Sequence, residues 1–219
     1  MRFHTSFMNG VFSFQTAGGP SSVTSAQLQD FAAHIGLERV CPNRYSYLLA
    51  LDVFIEFHHG TLSPEEVVRE IGFLETDPNK SRTKHAEQFE DKPLQGLWHK
   101  HYFTAAHVAQ NLLNQLAGKK GLMRMLNRIC PPDRREVFTQ EMADETTFST
   151  TQGAFSERLN ANELTGEWIV FTQHGGSNYY LCLAKHPNRS KRSDDDNRLF
   201  ARIMDCCLEQ FPFLSENLL

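Results

Sequence analysis

The sequence predicts an α+β fold, in which a helical N-terminal half packs on a small antiparallel sheet and a C-terminal helix closes the structure. Three observations predict it: apolar residues recur at helical spacing up to residue 74, two apolar runs flank a Gly-Gly pair in 167–186, and an acidic helix start follows. The 219 residues, 40% hydrophobic and 22% charged, are typical of one globular domain, 1–219. A subdivision, if present, would fall in the polar segment 76–95.

The first predicted element is a β-hairpin that could supply neighbouring strands to the sheet. Alternating residues surround the pair Asn9-Gly10: Phe3, Thr5 and Phe7 precede it, and Phe12, Phe14 and Thr16 follow it. Asn-Gly favours a type I′ turn because both residues tolerate a positive φ. The run 17–22, rich in glycine and serine, is predicted to be a loop.

Three helices are predicted next, over 24–37, 45–58 and 63–74. Thr24 or Ser25 can cap the first helix, since a hydroxyl accepts a hydrogen bond from an exposed backbone N–H. The second is strongly apolar and is expected to be central. The third begins at Ser63-Pro64 with glutamates in its first turn, which is a typical helix start.

The middle of the chain is predicted to contain a loop and further helices. The segment 76–93 is polar and holds two prolines, so it is a loop or a linker. A helix is expected over 97–116 and a shorter one over 121–129, ended by Cys130-Pro131-Pro132. The pattern of 133–143 is weakly helical, and 146–163 shows no periodicity.

The clearest strand signal is the pair 168–172 and 179–183 around Gly175-Gly176. A turn at these glycines puts Val170 opposite Leu181 and Trp168 opposite Leu183. Both faces are apolar, so these strands should be central in the sheet and covered on both sides. A last helix starts at 193–196 and should bury one stripe: Leu199, Phe200, Ile203, Cys207 and Phe211.

The cysteines and histidines predict neither a metal nor a cofactor. Five cysteines without a Cys-x-x-Cys pair are typical of buried, reduced thiols in the cytoplasm. His99 and His101 point apart on the predicted helix, and His-Glu-x-x-His is absent. No P-loop, Gly-x-Gly-x-x-Gly or Gly-x-Ser-x-Gly motif occurs.

Charge and hydropathy predict a cytoplasmic protein that does not enter a membrane, since no apolar run approaches ~18 residues. The net charge of −4 conceals two basic stretches, 119–135 and 185–192, which could contact a phosphate backbone. The candidate phosphate-binding residues are Lys120, Arg124, Arg128, Arg189, Lys191 and Arg192. The alternative is that these are solvated charge runs.

Several residues could carry acid–base chemistry. His186 ends the last strand beside Lys185, His174 lies at the hairpin tip near Tyr179, and His107 shares a helix face with Lys100. Near a bound phosphate, such groups could cleave RNA without a metal: a base takes the 2′-hydroxyl proton, an acid protonates the leaving oxygen, and cations offset charge. Helices followed by a small sheet bearing these side chains resemble, in architecture, the broad class of small metal-independent ribonuclease toxins.

Two other functions remain open. The protein could be a non-enzymatic binding or regulatory protein whose acidic N-terminal half contacts a protein partner. It could also be an adaptor or immunity-type protein whose histidines have no catalytic role. RNA and a protein are therefore both candidate partners.

Overall fold

The computed structural model describes residues 10–16, 19–102, 123, 127–129, 145, 167–185 and 192–218. Contacts divide the chain into two compact units: one holds Met1–Ser81, His85–Tyr102 and Glu167–Leu219, and the other holds Arg82–Lys84 and Phe103–Gly166. In the second unit, Met123, 127–129 and Glu145 are helical. The predicted element 133–143 and the segment 146–163 lie outside the described residues. All elements given below belong to the first unit.

The first unit combines helices with two antiparallel sheets, which confirms the predicted α+β class. The helices are α1 (Ser25–Ile35), α2 (Leu37–Val40), α3 (Tyr47–His58), α4 (Pro64–Thr76), α5 (Arg192–Cys207) and α6 (Leu214–Leu218), with a 3₁₀ turn at Pro78–Lys80. The strands are β1 (Val11–Thr16), β2 (Gly19–Thr24), β3 (Glu87–Gln88), β4 (Trp98–Tyr102), β5 (Glu167–His174) and β6 (Ser177–Ala184). Among the described helices, none is long and apolar enough to cross a membrane.

The predicted helix starts are confirmed by their local contacts. Thr24 caps α1 in a capping box: its hydroxyl accepts from the backbone N–H of Gln27, whose side chain accepts from the backbone N–H of Thr24. Gly36, with a φ of +91°, ends the helix in the left-handed region that glycine adopts without strain. Pro64 occupies the first turn of α4, where its missing N–H would have no helical partner.

Helix α3 is the centre of the core, as its composition predicts. Its residues Tyr47–Val53 are all buried, and it packs against α1, β6 and α5. Asp52 is the one acidic residue in this stretch, and it accepts a hydrogen bond from the backbone N–H of Leu183 at 3.0 Å. The helix thereby joins the helical layer to the sheet.

The hairpin near the N-terminus differs from the prediction. β1 pairs with β2, so Phe12 lies opposite Val23 and Phe14 opposite Ser21. The loop predicted for 17–22 is therefore wrong over 19–22, because strand pairing overrides the turn preference of serine and proline at exposed positions. Among the described strands, this hairpin forms its own sheet and does not join the larger one. The predicted pairing with 3–7 lies outside the described residues.

The larger sheet has the order β3-β4-β5-β6. Its β5 is buried along Trp168–Thr172, which confirms a central strand covered on both faces. On the outer edge of β6, the backbone N–H of Tyr180 donates to Arg44 at 2.8 Å and its carbonyl accepts from Ser46 at 2.9 Å, so the edge is covered at this position. A bulge between Val170 and Phe171 puts Cys182 opposite Val170, and the predicted register is therefore wrong by one residue on that side.

The predicted helix over 97–116 is wrong at its start, because residues Trp98–Tyr102 form β4. All five residues of β4 pair antiparallel with residues of β5, from Trp98 opposite Phe171 to Tyr102 opposite Glu167. Five residues are too few to reveal a strand period when helical spacing continues after them in the sequence. Residues 103–116 lie outside the described part.

Candidate functional site

Strand β4 places two histidines on one face of the sheet. Residues two apart on a strand share a face, so His99 and His101 lie together, with ring centroids 5.9 Å apart. Trp168 lies directly opposite His101 on β5. Its indole ring is 4.6 Å from the ring of His99 and 6.3 Å from that of His101. The structure thus brings together residues that the helical interpretation had separated.

The neighbouring strand β3 adds a carboxylate, and the residue after it adds a phenyl ring. Glu87 of β3 pairs with His99, and its Oε2 lies 3.8 Å from His99 Nε2. Phe89 packs against His99 and Trp168, at centroid distances of 4.7 and 5.4 Å. We call these five residues, Glu87, Phe89, His99, His101 and Trp168, the histidine face. Exposure falls along it from Glu87, with a side chain 62% exposed, through His99 at 11% to the buried His101.

The histidine face has the groups that proton transfer requires. An imidazole changes its charge near neutral pH and can act as base or acid. A carboxylate within ion-pair distance stabilises the protonated ring. The signal that would have found this site is the alternation His99-Lys100-His101, which aligns the two imidazoles only if the segment is a strand.

A cavity of about 510 Å³ adjoins the histidine face through Trp168. It lies between α3, α5 and the edge of the sheet at which β4 and β6 end and β5 begins. Its apolar walls include Ile55, Leu183 and Leu199. Polar groups reach it from all three sides: Asp52, Glu56, Tyr102, Lys185, Asp195, Asp196, Arg198 and Arg202. Of the residues predicted to be catalytic, Lys185 lies here, exposed, where β6 ends.

One side of this cavity is held by an ion pair. Arg202 donates to the carboxylate of Asp52, which the backbone N–H of Leu183 also contacts. Burial alone would lower the pKa of Arg202, but the carboxylate of Asp52 outweighs it and raises that pKa. Because the two charges satisfy each other, this pair is a fixed part of the wall rather than a free proton-transfer group.

Lys100 lies on the opposite face of the sheet from the two histidines. Its Nζ donates to Ser81 Oγ at 2.7 Å and is 3.4 Å from Glu70 Oε2, while Ser81 Oγ donates to Glu70 at 2.6 Å. All three side chains are buried, and burial lowers the pKa of Lys100 against the opposing effect of Glu70. The prediction that Lys100 lies on a polar helix face is therefore wrong, since strand pairing turns it into the core.

His174 and Tyr179 lie together, but far from Lys185. His174 stacks on Phe213 at 4.1 Å, and Tyr179 contacts Phe211 and Phe213 at 5.3 and 4.8 Å. They occupy the tip of the hairpin, whereas Lys185 follows its other end, roughly 20 Å from Tyr179 along β6 at ~3.3 Å per residue. Of the predicted catalytic residues that the structure describes, Lys100, the pair His174 and Tyr179, and Lys185 therefore lie in three separate places.

The remaining candidates are placed as follows. Arg128 is exposed on a helical stretch of the second unit. Arg192 is 3.6 Å from Asp91 and 3.7 Å from Asp196, so its charge is already paired. Several predicted residues lie outside the described part: His107, Lys120, Arg124, His186, Arg189 and Lys191. Among the described residues, no group of three or more His, Cys, Asp or Glu side chains is placed to hold a metal ion.

Comparison of the chain with protein-family models, with curated proteins and with solved structures gives no match. A function must therefore be argued from the chemistry of the histidine face and its adjoining cavity.

Proposed function

We propose that this protein acts on RNA and cleaves its backbone by histidine acid–base chemistry. The observation that carries the proposal is the histidine face, in which two imidazoles, a carboxylate and an indole share one sheet surface. The indole, Trp168, also lines a cavity that Lys185 borders. The proposed chemistry is the one expected from the sequence, but His99 takes the role of the catalytic base.

The adjoining cavity supports a substrate of nucleotide size. Its volume of about 510 Å³ lies within the range of roughly 300–1,000 Å³ common for ligand sites. Unpaired RNA bases stack on tryptophan and tyrosine, and Trp168 and Tyr102 both line the cavity. Lys185 lines the cavity and begins the basic stretch 185–192, and lysine and arginine side chains attract the phosphates of a nucleic acid.

The proposed reaction needs no co-reactant. The 2′-oxygen of one nucleotide attacks its own 3′-phosphorus, and the bond from phosphorus to the 5′-oxygen of the next nucleotide breaks. His99 accepts the 2′-hydroxyl proton, and an acid donates a proton to the leaving 5′-oxygen. The products are a 2′,3′-cyclic phosphate and a 5′-hydroxyl end.

Each residue then has a distinct role. His99 is the catalytic base because its ring is the more exposed of the two, and Glu87 stabilises its protonated form. His101 is a positioning residue, since it is 3% exposed and its ring lies beside that of His99 on the same face of the sheet. Lys185 offsets the charge of the reacting phosphate. We assign the role of the acid to His186, which follows Lys185 and is one of the acid–base candidates of the sequence.

The test measures cleavage of a 5′-labelled single-stranded RNA in the presence of EDTA. His99→Gln and His186→Gln should each lower the cleavage rate by about 10²–10⁴-fold, the usual contribution of a positioned acid or base. His174→Gln is the matched control, because it removes an exposed imidazole at the far end of the hairpin. Circular dichroism establishes that each variant is folded.

Product analysis sharpens the result. The wild type should release a 2′,3′-cyclic phosphate and should leave DNA of the same sequence intact, because DNA lacks the nucleophile. Absence of cleavage by folded wild-type protein would refute the proposal, as would equal losses for His99→Gln and His174→Gln. If the protein neither binds nor cleaves RNA, the non-enzymatic protein-binding function becomes the better explanation.

A further inference from the structure

A second concave surface lies on the other side of α4, away from the histidine face and the cavity next to it. It is a groove of about 400 Å³ between α4, α2 and the end of α1. Its floor is apolar and includes Ile35, Val40 and Val68. Gly72 of α4 contributes no side chain here, and a Cβ at that position would lie 3.7 Å from Val40 Cγ1. The missing side chain at Gly72 therefore lets α4 approach α2 closely along the groove.

The rim of the groove is basic in a chain whose net charge is −4. Arg39, Arg69 and Lys80 line it with one carboxylate, that of Glu65, and all four residues are exposed. Arg69 bonds to Glu66 on its own helix. Within the described part of the chain, neither Arg39 nor Lys80 has a carboxylate in ion-pair distance. Arg39 and Lys80 are thus two cations without an ion-pair partner among the described residues, and they share the rim with the single carboxylate of Glu65.

We propose that this groove binds an acidic amphipathic helix of a partner protein. Such a helix places apolar side chains at i, i+3, i+4 and i+7 against a groove, and its acidic flanks would face Arg39 and Lys80. The groove is lined by aliphatic side chains and one aromatic residue, Phe73. This lining favours the apolar stripe of a peptide over RNA, whose successive bases stack on several aromatic rings. The proposal is independent of RNA cleavage, since it uses none of the residues of the histidine face.

The test uses a fluorescein-labelled peptide of about 15 residues, with leucine at i, i+3, i+4 and i+7 and glutamate at the flanking positions. Fluorescence anisotropy measures its binding to the full-length protein. Two control peptides are used: one has the same composition with the leucines shuffled, and the other has lysine in place of each glutamate. A 12-nucleotide single-stranded RNA serves as the competitor.

Charge reversal in the groove should weaken binding, since charged rims steer and hold complementary partners. Arg39→Glu and Lys80→Glu should each raise the dissociation constant about fivefold or more. Lys92→Glu is the matched control, because Lys92 is exposed and does not line the groove. Amide chemical shifts should move at Val68 and Gly72 on addition of the peptide.

Three results would overturn the proposal. The first is equal binding of the acidic peptide and the shuffled peptide, which would show that no apolar stripe is recognised. The second is an equal loss of affinity in Lys92→Glu, which would show only a general charge effect. The third is displacement of the peptide by RNA together with loss of RNA binding in Arg39→Glu, which would make the groove a nucleic-acid surface.

Discussion

Replacing Lys100 by methionine removes an ammonium group from the buried cluster that Lys100 forms with Glu70 and Ser81. Methionine has a similar length, so the main change is electrostatic. The carboxylate of Glu70 would keep the hydroxyl of Ser81, at 2.6 Å, but would lose the cation 3.4 Å away. Glu70 is 2% exposed and cannot recover this interaction from water.

The expected loss is large compared with the stability of a typical domain. Removing one partner of a buried ion pair costs about 3–5 kcal/mol, because a buried charge is left without compensation. A small domain is stable by only about 5–15 kcal/mol. A loss near ~4 kcal/mol would change the unfolding equilibrium by roughly three powers of ten. Lys100→Met should therefore retain only about 1–11 kcal/mol of such a stability, and it should unfold at a clearly lower urea concentration than the wild type.

Removing both charges should have a much smaller effect. In Lys100→Met combined with Glu70→Leu, no buried charge is left unpaired, and such replacements are often neutral or stabilising. Urea unfolding followed by circular dichroism measures both variants, and a double-mutant cycle gives the coupling between the two side chains. Lys92→Met is the exposed control and should stay within about 0.5 kcal/mol of the wild type.

The same variants separate a structural role of Lys100 from a catalytic one. The double variant should retain RNA cleavage, because Lys100 is buried against Ser81 and Glu70 and does not line the cavity. The structural argument is refuted if Lys100→Met unfolds within about 1 kcal/mol of the wild type, or if the two substitutions are additive. If the double variant is stable but has no activity, Lys100 has a functional role besides its structural one.

Two further predictions concern stability. Burial raises the pKa of Cys41 from 9.0 to about 12. The thiol therefore ionises at a lower pH in the unfolded chain than in the folded one, and the free energy of unfolding falls as the pH rises from 9 towards 12. At pH 10 this one thiol lowers the free energy of unfolding by about 1.4 kcal/mol. Cys41→Ala should remove that part of the alkaline slope in urea unfolding, and an unchanged slope would contradict the assignment. Gly72→Ala should stabilise the protein by about 0.5–1 kcal/mol, since α4 has room for a Cβ at 3.7 Å from Val40. A lower melting temperature for Gly72→Ala would count against this contact geometry.

Some features of this protein depend on residues close together in the chain, and these were predictable. The capping box of Thr24 and Gln27 spans three positions, and the start of α4 at Pro64 depends on one turn. The glycines at 175 and 176 form the predicted turn, each with a positive φ. Local geometry decides these cases, and tertiary packing only adds to them.

The candidate functional site was predictable only in part, because some of its residues are brought together by strands that are far apart in the chain. Lys185 was predicted from its place at a strand end, and it does line a cavity. His99 was set aside because the segment matched a helical period that continues beyond Tyr102. Its partner strand begins at Glu167, far along the chain, and nothing near residue 99 indicates that pairing.

The sequence by itself determined the α+β class, the helix starts, the central hairpin and the basic stretch that begins at Lys185. Only the tertiary structure decided that Trp98–Tyr102 is a strand, which turns His99 and His101 to one face and Lys100 into the core on the other. The physical reason is the strand period of two residues. Once β5 supplies the hydrogen bonds that select a strand over a helix, adjacent side chains must point to opposite faces.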